Sequence, residues 1–377
     1  MKITLKRTPE QVELVKAMAS RNRQVAYEAQ VALAEFIGPV LAEVLQQAPT
    51  LSNLFQSLQF DADDNPSIPL DLYYDVSDED YIQIWSQSHA GGLATNQVLP
   101  TASELKLATY SLDTAVSFDR RYAAKSRMDV VGKTFTRVAQ EILLKQERTS
   151  ATLLLTALAN AKTGTTIHVA NSTQGTRLIL DDFNKLLTRA KRINSSWAGG
   201  TTDTRTKGVT DLIMSPERVG DLRAMAYNPV SAVAADGGAP ANTEDGIAAP
   251  DVVRDKMYDS AGLPSFYGIN IMEINELGKA SKFGTIFGTA AAASTVAGFP
   301  TYTTADMDLV IGVDRSRDSQ IRAVAVDSEN GSEFNLIADE QYSIRQNKIG
   351  YFGSIDEGRV VLDNRVLTGT IVTAPTS

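Results

Sequence analysis

The feature that most constrains this chain is a long run in helical spacing that neither Gly nor Pro interrupts from Lys133 to Lys162. Ser126-Arg127-Met128-Asp129 reads as a capping box at its start. Val131, Phe135, Val138, Ile142, Thr149, Leu153 and Ala157 keep three-to-four spacing, with one lapse around Lys145-Gln146. The pattern predicts one helix from about Met128 to Ala161, roughly 50 Å long at 1.5 Å per residue. Ordinary helices have three or four turns. Heptads are not sustained, so the run is not a coiled coil.

The chain before it falls into two parts. Thr8-Pro9-Glu10-Gln11 starts a helix, with Thr8 as N-cap and Pro9 in the first turn. Val12, Val15, Ala19, Ala26, Ala29, Leu33 and Ile37 continue it, and Gly38-Pro39 should break or kink it. With an irregular link over Thr50 to Phe60, residues 1–60 read as a helical arm with no strand partner. Residues 61–119 alternate instead: Leu70, Leu72 and Tyr74; Ile82 and Ile84; Leu105, Leu107, Leu112, Val116 and Phe118. Period two predicts a long β-hairpin with His89-Ala90-Gly91-Gly92 at its tip.

After the long helix the pattern is mixed. Asp181 caps a helix to about Asn194, Thr210 to Met214 is a buried strand, and Ser215-Pro216-Glu217 opens a helix to about Ala226. Residues 227–266 form a large loop with several prolines and glycines, and loops of that size are usually functional. Strands are expected at Ile269–Ile274, Thr285–Phe287, Leu309–Val313 and Ile321–Val326. More follow at Phe334–Ala338, Gln341–Gln346, Gly350–Ile355, Val360–Leu362 and Val366–Val372. The chain therefore reads as α+β.

Charge runs in blocks. Residues 1–23 carry net +4, and residues 24–105 contain no Lys or Arg at all and carry net −12. Residues 106–162 carry net +5. A hairpin of one charge sign resists pairing with its own copies and is drawn to a basic surface. The acidic side is Asp71, Asp75, Asp78, Glu79 and Asp80; the nearest basic candidate is Arg120, Arg121, Lys125, Arg127, Lys133 and Arg137. An extended hairpin points away from that region of its own chain, so the contact joins neighbouring subunits.

Several chemistries are excluded. The chain of 377 residues has no cysteine and two histidines, His89 and His168, so thiolate sites and three-histidine zinc sites cannot form. Gly132-Lys133-Thr134 lacks the earlier glycine of a phosphate loop and lies in a helix. Asp61-Ala62-Asp63-Asp64-Asn65 has Pro66 and Leu72 where a calcium loop needs Gly and Glu. No G-x-S-x-G or G-x-G-x-x-G occurs. Trp85 and Trp197 read as packing anchors. A net charge of −9 disfavours general nucleic-acid binding. The longest uncharged stretch worth testing as a membrane span, 283–305, is too polar to cross a bilayer. No catalytic residue, cofactor or metal site is expected, and the chain reads as a cytoplasmic protein rather than a membrane protein.

The order of these elements resembles the major capsid protein of tailed bacteriophages. Asp211-Leu212-Ile213-Met214-Ser215-Pro216-Glu217 resembles that family's strand-to-helix step, and Gly268 to Ile274 its next strand. Gln341 to Gln346 with Gly350-Tyr351-Phe352, then Val360-Val361-Leu362-Asp363, resemble its closing strands. The resemblance implies residues 1–60 as an N-terminal helical arm and 61–119 as the extended β-hairpin loop. It implies 120–195 as the peripheral domain with its spine helix and 196–333 as the axial domain with its large loop 227–266. Residues 334–377 would be strands returning to the peripheral domain. It further implies hexamers and pentamers forming an icosahedral virion shell around double-stranded DNA, without sequence-specific contact. Implied partners are a scaffolding protein, a portal and a cement or decoration protein, with assembly in the host cytoplasm. The short arm implies a separate scaffolding protein, and Lys106 as the only loop lysine implies no covalent cross-link. An encapsulin-type shell and an α/β enzyme with a lid loop are the alternatives.

Overall fold

The structure, a computed structural model, describes residues 8–47, 51–61, 66–69, 104–173, 176–194, 208–225, 265–266, 268–316, 319–326, 333–341 and 346–373. In chain order the first elements are α1 (Pro9–Ala17), α2 (Arg23–Gln47), β1 (Gln56–Asp61), β2 (Ser67–Pro69), β3 (Glu104–Lys106), β4 (Thr109–Asp119), α3 (Arg120–Ala124) and α4 (Met128–Ala159). Then come β5 (Lys162–Thr163), β6 (Thr166–Ile167), β7 (Val169–Asn171), α5 (Leu180–Asn194), β8 (Asp211–Met214) and α6 (Pro216–Met225). The rest are β9 (Ser265–Phe266), β10 (Ile269–Glu273), α7 (Lys282–Ala292), β11 (Met307–Val313), β12 (Gln320–Val326), β13 (Asn335–Asp339), β14 (Lys348–Val361) and β15 (Leu367–Thr373). The fold is α+β, as the sequence predicts.

The chain divides into two compact units. The first gathers Met1–Ile68, Glu104–Ser150 and Gln320–Val360; the second is built chiefly from Ala151–Ser319 and Val361–Ser377. The division falls inside α4: its 32 residues, about 48 Å at 1.5 Å each, begin in the first unit and end in the second.

In the first unit, Thr8 caps α1, its side chain accepting from the Gln11 N–H at 3.4 Å, as its sequence predicts. The expected single helix is two. Ser20 Oγ accepts from the Asn22 N–H and Asn22 Oδ1 from the Gln24 N–H, both at 3.2 Å. These short-range bonds offer the backbone an alternative to the helical ladder. Conversely, α2 runs through Gly38-Pro39 unbroken. Pro39 and Glu35, the residue whose carbonyl loses its partner, are both exposed, so the lost bond faces water. Gly38 is buried near Leu336 of β13.

One face of the first sheet covers these helices. Its order is β1-β12-β14-β13, with β4 also on β14. Phe118, Phe135, Ile349 and Tyr351 form its core with Leu33, Ile37 and Leu41 of α2. The Phe135 ring meets Tyr351 edge-on at 5.3 Å between centroids. Residues 56–61, expected as an irregular link, are strand β1, parallel to β12 from Gln56↔Ile321 to Asp61↔Val326. The arm therefore has a strand partner and is knitted into the first unit. Strands β2 and β3 pair with each other at the base of the expected hairpin.

The second unit holds a six-stranded sheet, β7-β15-β11-β8-β10-β9. All four residues of β8 are buried. Phe183, Leu186, Ala190 and Ile193 of α5 are buried at three-to-four spacing, three of them in one core with Leu212 and Met214. Two strand expectations fail. Thr285–Phe287 lies in α7, where Ser281 caps the helix and Phe283 and Phe287, four residues apart, are both buried. Residues 340–341 and 346 are helical rather than extended, and 342–345 lie outside the described residues.

Candidate assembly interface

The expected basic surface sits on α3 and the first half of α4. Its six cations have different fates. Asp119 caps α3, accepting from the Arg121 N–H at 2.9 Å, and pairs with the Arg121 guanidinium at 3.0 Å. Hydrogen bonding from Arg121 holds the Asp119 carboxyl below its usual range. Arg120 donates through Nε and Nη2 to the Ala19 carbonyl at 3.3 and 3.1 Å, so it ties α3 to the turn after α1. These two side chains serve their own chain. Lys125, Arg127, Lys133 and Arg137 are exposed and form no ion pair among the described residues. Lys133 and Arg137, four residues apart on α4, share one face.

Ser126 corrects the expected capping box. It takes φ +50°, and its buried Oγ has no hydrogen-bond partner. The backbone opens α4 instead: the Met128 N–H donates to Ser126 O at 2.9 Å and the Val130 N–H to Arg127 O at 3.1 Å.

Asp71, Asp75, Asp78, Glu79 and Asp80 lie outside the described residues, as do His89, Trp85, Trp197 and residues 227–264 of the large loop.

Two exposed apolar surfaces of the first unit escaped the sequence reading. On α2, Val25, Phe36 and Val40 are 41%, 51% and 38% exposed and project from one side of the helix, interleaved with Glu28 and Glu35. Among the described residues α2 is the helix apolar and long enough to cross a membrane, at mean hydropathy 1.3, but half of it is buried in the first unit. Its three glutamates hid it from a search for uncharged runs. On the sheet, Ile337 of β13 lies directly across from Phe352 of β14, and Phe352 across from Ala115 of β4. All three are exposed, on the face away from the helices. Each surface thus groups exposed apolar side chains on one side of its element.

Two buried titratable groups are held by several partners each. His168 is fully buried: Nδ1 lies 2.9 Å from Leu367 O and 3.1 Å from Asn364 O, and Nε2 2.8 Å from Thr163 Oγ1. Two carbonyls require Nδ1–H as donor; in the neutral ring Nε2 then accepts from the Thr163 hydroxyl. Burial lowers its pKa. Glu357, also fully buried, accepts from Tyr110 Oη at 2.8 Å, Gln146 Nε2 at 3.1 Å, Arg322 Nε at 3.0 Å and Arg359 Nη2 at 3.0 Å. Burial would raise its pKa; the Arg359 and Arg322 charges outweigh that and hold it below the usual value. Burial and the Glu357 charge push Tyr110 up to about 12. In the second unit, buried Arg218 bridges Asp308 (3.0 Å) and Asp221 (2.6 Å), and Ser215 Oγ donates to Asp308. This cluster fastens the start of α6 to β11. Among the described residues no group of three or more His, Asp or Glu is placed to hold a metal ion.

No family model matches the chain, and no curated protein matches it. Solved structures similar in fold include the capsid of an empty GTA particle, at 9% identity, TM-score 0.49 and coverage of 88% of this chain and 91% of that one. The capsid of cyanophage P-SCSP1u is similar at 13% identity, TM-score 0.44 and coverage of 86% and 87%. The SrpI encapsulin of Synechococcus elongatus PCC 7942 is similar at 12% identity, TM-score 0.40 and coverage of 74% and 80%.

Proposed function

We propose that this chain is a structural shell subunit, the major capsid protein of a tailed-phage-type virion. The observation that carries the reading is the threading of the chain. An N-terminal helical segment, the paired base of a hairpin, a 32-residue helix shared by two units, a mixed sheet and a returning strand series follow one another in the order that the sequence resemblance implies. The exposed apolar faces of α2 and of the β13–β14 pair support self-association.

In this reading copies form hexamers and pentamers that close around packaged double-stranded DNA, helped by a scaffolding protein, a portal and a cement or decoration protein. Assembly takes place in the host cytoplasm. The domain roles follow the sequence division: extended loop 61–119, spine helix within 120–195, axial residues 196–333 and returning strands 334–377. The acidic loop of one copy lies on the basic α3–α4 surface of the next. Because Arg120 and Arg121 are engaged within their own chain, that contact rests on Lys125, Arg127, Lys133 and Arg137.

Sedimentation velocity of the chain expressed alone, at low and high salt, tests this. A capsomer-sized species that dissociates with salt is the expected result, and closed shells should appear once a scaffolding protein is co-expressed. A closed shell without any helper would favour the encapsulin-type reading. A monomer at every salt and with every helper would overturn the shell function altogether.

A further inference from the structure

Three distant stretches of the chain meet at a cationic corner of the first unit. A pocket of about 210 Å³ lies there. Its wall holds Arg21 from the turn between α1 and α2, Arg23 from the start of α2, Arg120 from α3 and Lys348 from the start of β14. Two carboxylates answer these cations. Glu340 pairs with Arg23. Asp119 lies across the ladder from Lys348 and is paired with Arg121 at 3.0 Å. With Arg121 counted, five cations face two carboxylates, and the corner keeps net +3. Glu28, in the second turn of α2, is no part of the wall and accepts from the Gln24 amide at 3.2 Å.

The cations differ in what they can still do. Arg120 donates through Nε and Nη2 to the Ala19 carbonyl, a neutral acceptor, so its place is fixed and its charge remains. Arg21 is exposed and forms no ion pair among the described residues. Its guanidinium is the available fork of the corner, and such a fork matches a carboxylate with two parallel hydrogen bonds. The corner also continues the basic surface of α3 and α4, since Arg120 opens α3 and Lys125 follows it directly.

The chain itself carries the complement. Residues 71–80 hold Asp71, Asp75, Asp78, Glu79 and Asp80 and no Lys or Arg. Each copy therefore brings one strongly acidic segment for each cationic corner. A nucleic-acid duplex fits less well: it asks for cations spaced along its backbone, whereas these gather in one concavity with two carboxylates among them. We propose that the corner seats residues 71–80 of a second copy, with Arg21 gripping a carboxylate and Arg120 and Lys348 adding attraction. This rests on the reading of the chain as a shell subunit whose acidic loop reaches its neighbour. It adds a seat on the α1–α2 turn, remote in sequence from α3. Two different patches meet, so the contact is heterologous, the kind that can close into a ring.

The test is fluorescence anisotropy of a labelled peptide of residues 71–80, titrated with the full chain at low ionic strength. Arg21→Glu is the variant, and an unchanged Tm shows that it folds; Arg120 stays, because it ties α3 to Ala19. Saturable binding is expected, about fivefold or more weaker in Arg21→Glu, where an exposed ion pair at the top of its usual range is replaced by a repulsion. A peptide carrying Asp75→Lys and Asp78→Lys should reverse the preference and bind Arg21→Glu more tightly than the parent chain. Unchanged affinity in Arg21→Glu, or equal binding of a scrambled peptide of the same composition, overturns the proposal. So does displacement of the peptide by a short DNA duplex at lower concentration than by unlabelled peptide, which would make the corner a backbone site. Sedimentation of the same samples separates this seat from the shell reading. If the chain assembles and Arg21→Glu assembles equally at low salt, the shell reading stands and the seat is wrong. If the chain never assembles yet the peptide binds and loses affinity in Arg21→Glu, the seat stands and the shell reading falls.

Discussion

Glu357→Gln tests whether the buried ion network holds the first unit together. Glu357 is the shared counter-ion of two guanidiniums. Arg322 retains Glu333 at 3.6 Å when the charge is removed. Arg359, 1% exposed, keeps the neutral Gln146 carbonyl at 3.2 Å and the face of the Phe55 ring at 5.8 Å, and its buried Nε already has no partner. Removing one partner of a buried pair costs about 3–5 kcal/mol. Gln keeps the shape and can still accept from Tyr110, so the lower end, about 3 kcal/mol, is expected. For a unit of this size each kcal/mol moves Tm by roughly 2–4 °C, so calorimetry should show a loss of about 6–12 °C at neutral pH. The difference should shrink in acid. Glu357 has a depressed folded pKa, so its contribution is full above the exposed value of 4.5 and is lost as pH falls from there through the folded pKa. Pairing Glu357→Leu with Arg359→Met removes both charges and should recover part of the loss. A shift under about 2 °C for Glu357→Gln, within ordinary surface-substitution effects, would refute the reasoning.

Other perturbations have defined outcomes. Because burial depresses the His168 pKa, the unfolded chain takes up the proton first; stability should fall as pH drops below 6.5, and urea midpoints of His168→Gln should show a weaker dependence there. Gly312→Ala would put its Cβ 2.9 Å from Thr368 Oγ1, 3.1 Å from Leu186 and 3.2 Å from Val209; overpacking should lower stability by about 1–3 kcal/mol in denaturant titration. Lys133→Glu with Arg137→Glu should leave Tm within ~1 °C, since both are exposed surface positions, yet weaken capsomer sedimentation at low salt; unchanged assembly would remove α4 from the contact. Phe36→Ser, at a half-exposed position, should likewise reduce association far more than stability when the two are measured on the same sample.

Much of the fold is legible because one period dominates locally. α4, α5 and β8 are each dense in apolar residues at a single spacing, and Ser215-Pro216 and Thr8-Pro9 carry their helix starts in the side chains themselves. The failures have specific causes. Strand β1 has five exposed positions of six, so no apolar row announces it, and its partner β12 lies about 265 residues on. Thr285-Ile286-Phe287 has strand propensity, but Phe283 and Phe287 bury one helix face and tertiary packing wins. The interface reading is mixed for the same reason. Asp119, two residues before Arg121, is a readable cap that engages this cation. Arg120 finds its acceptor at Ala19, 101 residues away, and no local pattern encodes that.

The distribution of polar contacts gives the shell reading its physical sense. Charges with the strongest partners, Glu357 with its two arginines and Arg218 with its two aspartates, are buried within single units, where they specify rigid parts. What faces outward is weaker: exposed cations on α4, whose ion pairs are each worth roughly 0–1 kcal/mol, and half-exposed Phe36, Val40, Ile337 and Phe352. The apolar stripe of α2 carries Glu28 and Glu35 and no cation between Gln24 and Gln47, so two α2 faces repel while a cationic face attracts. Rigid units with individually weak, sign-coded contacts dissociate when wrongly placed and become stable only when many contacts form together. A closed assembly of many identical copies requires that combination; a monomeric enzyme would have no use for it.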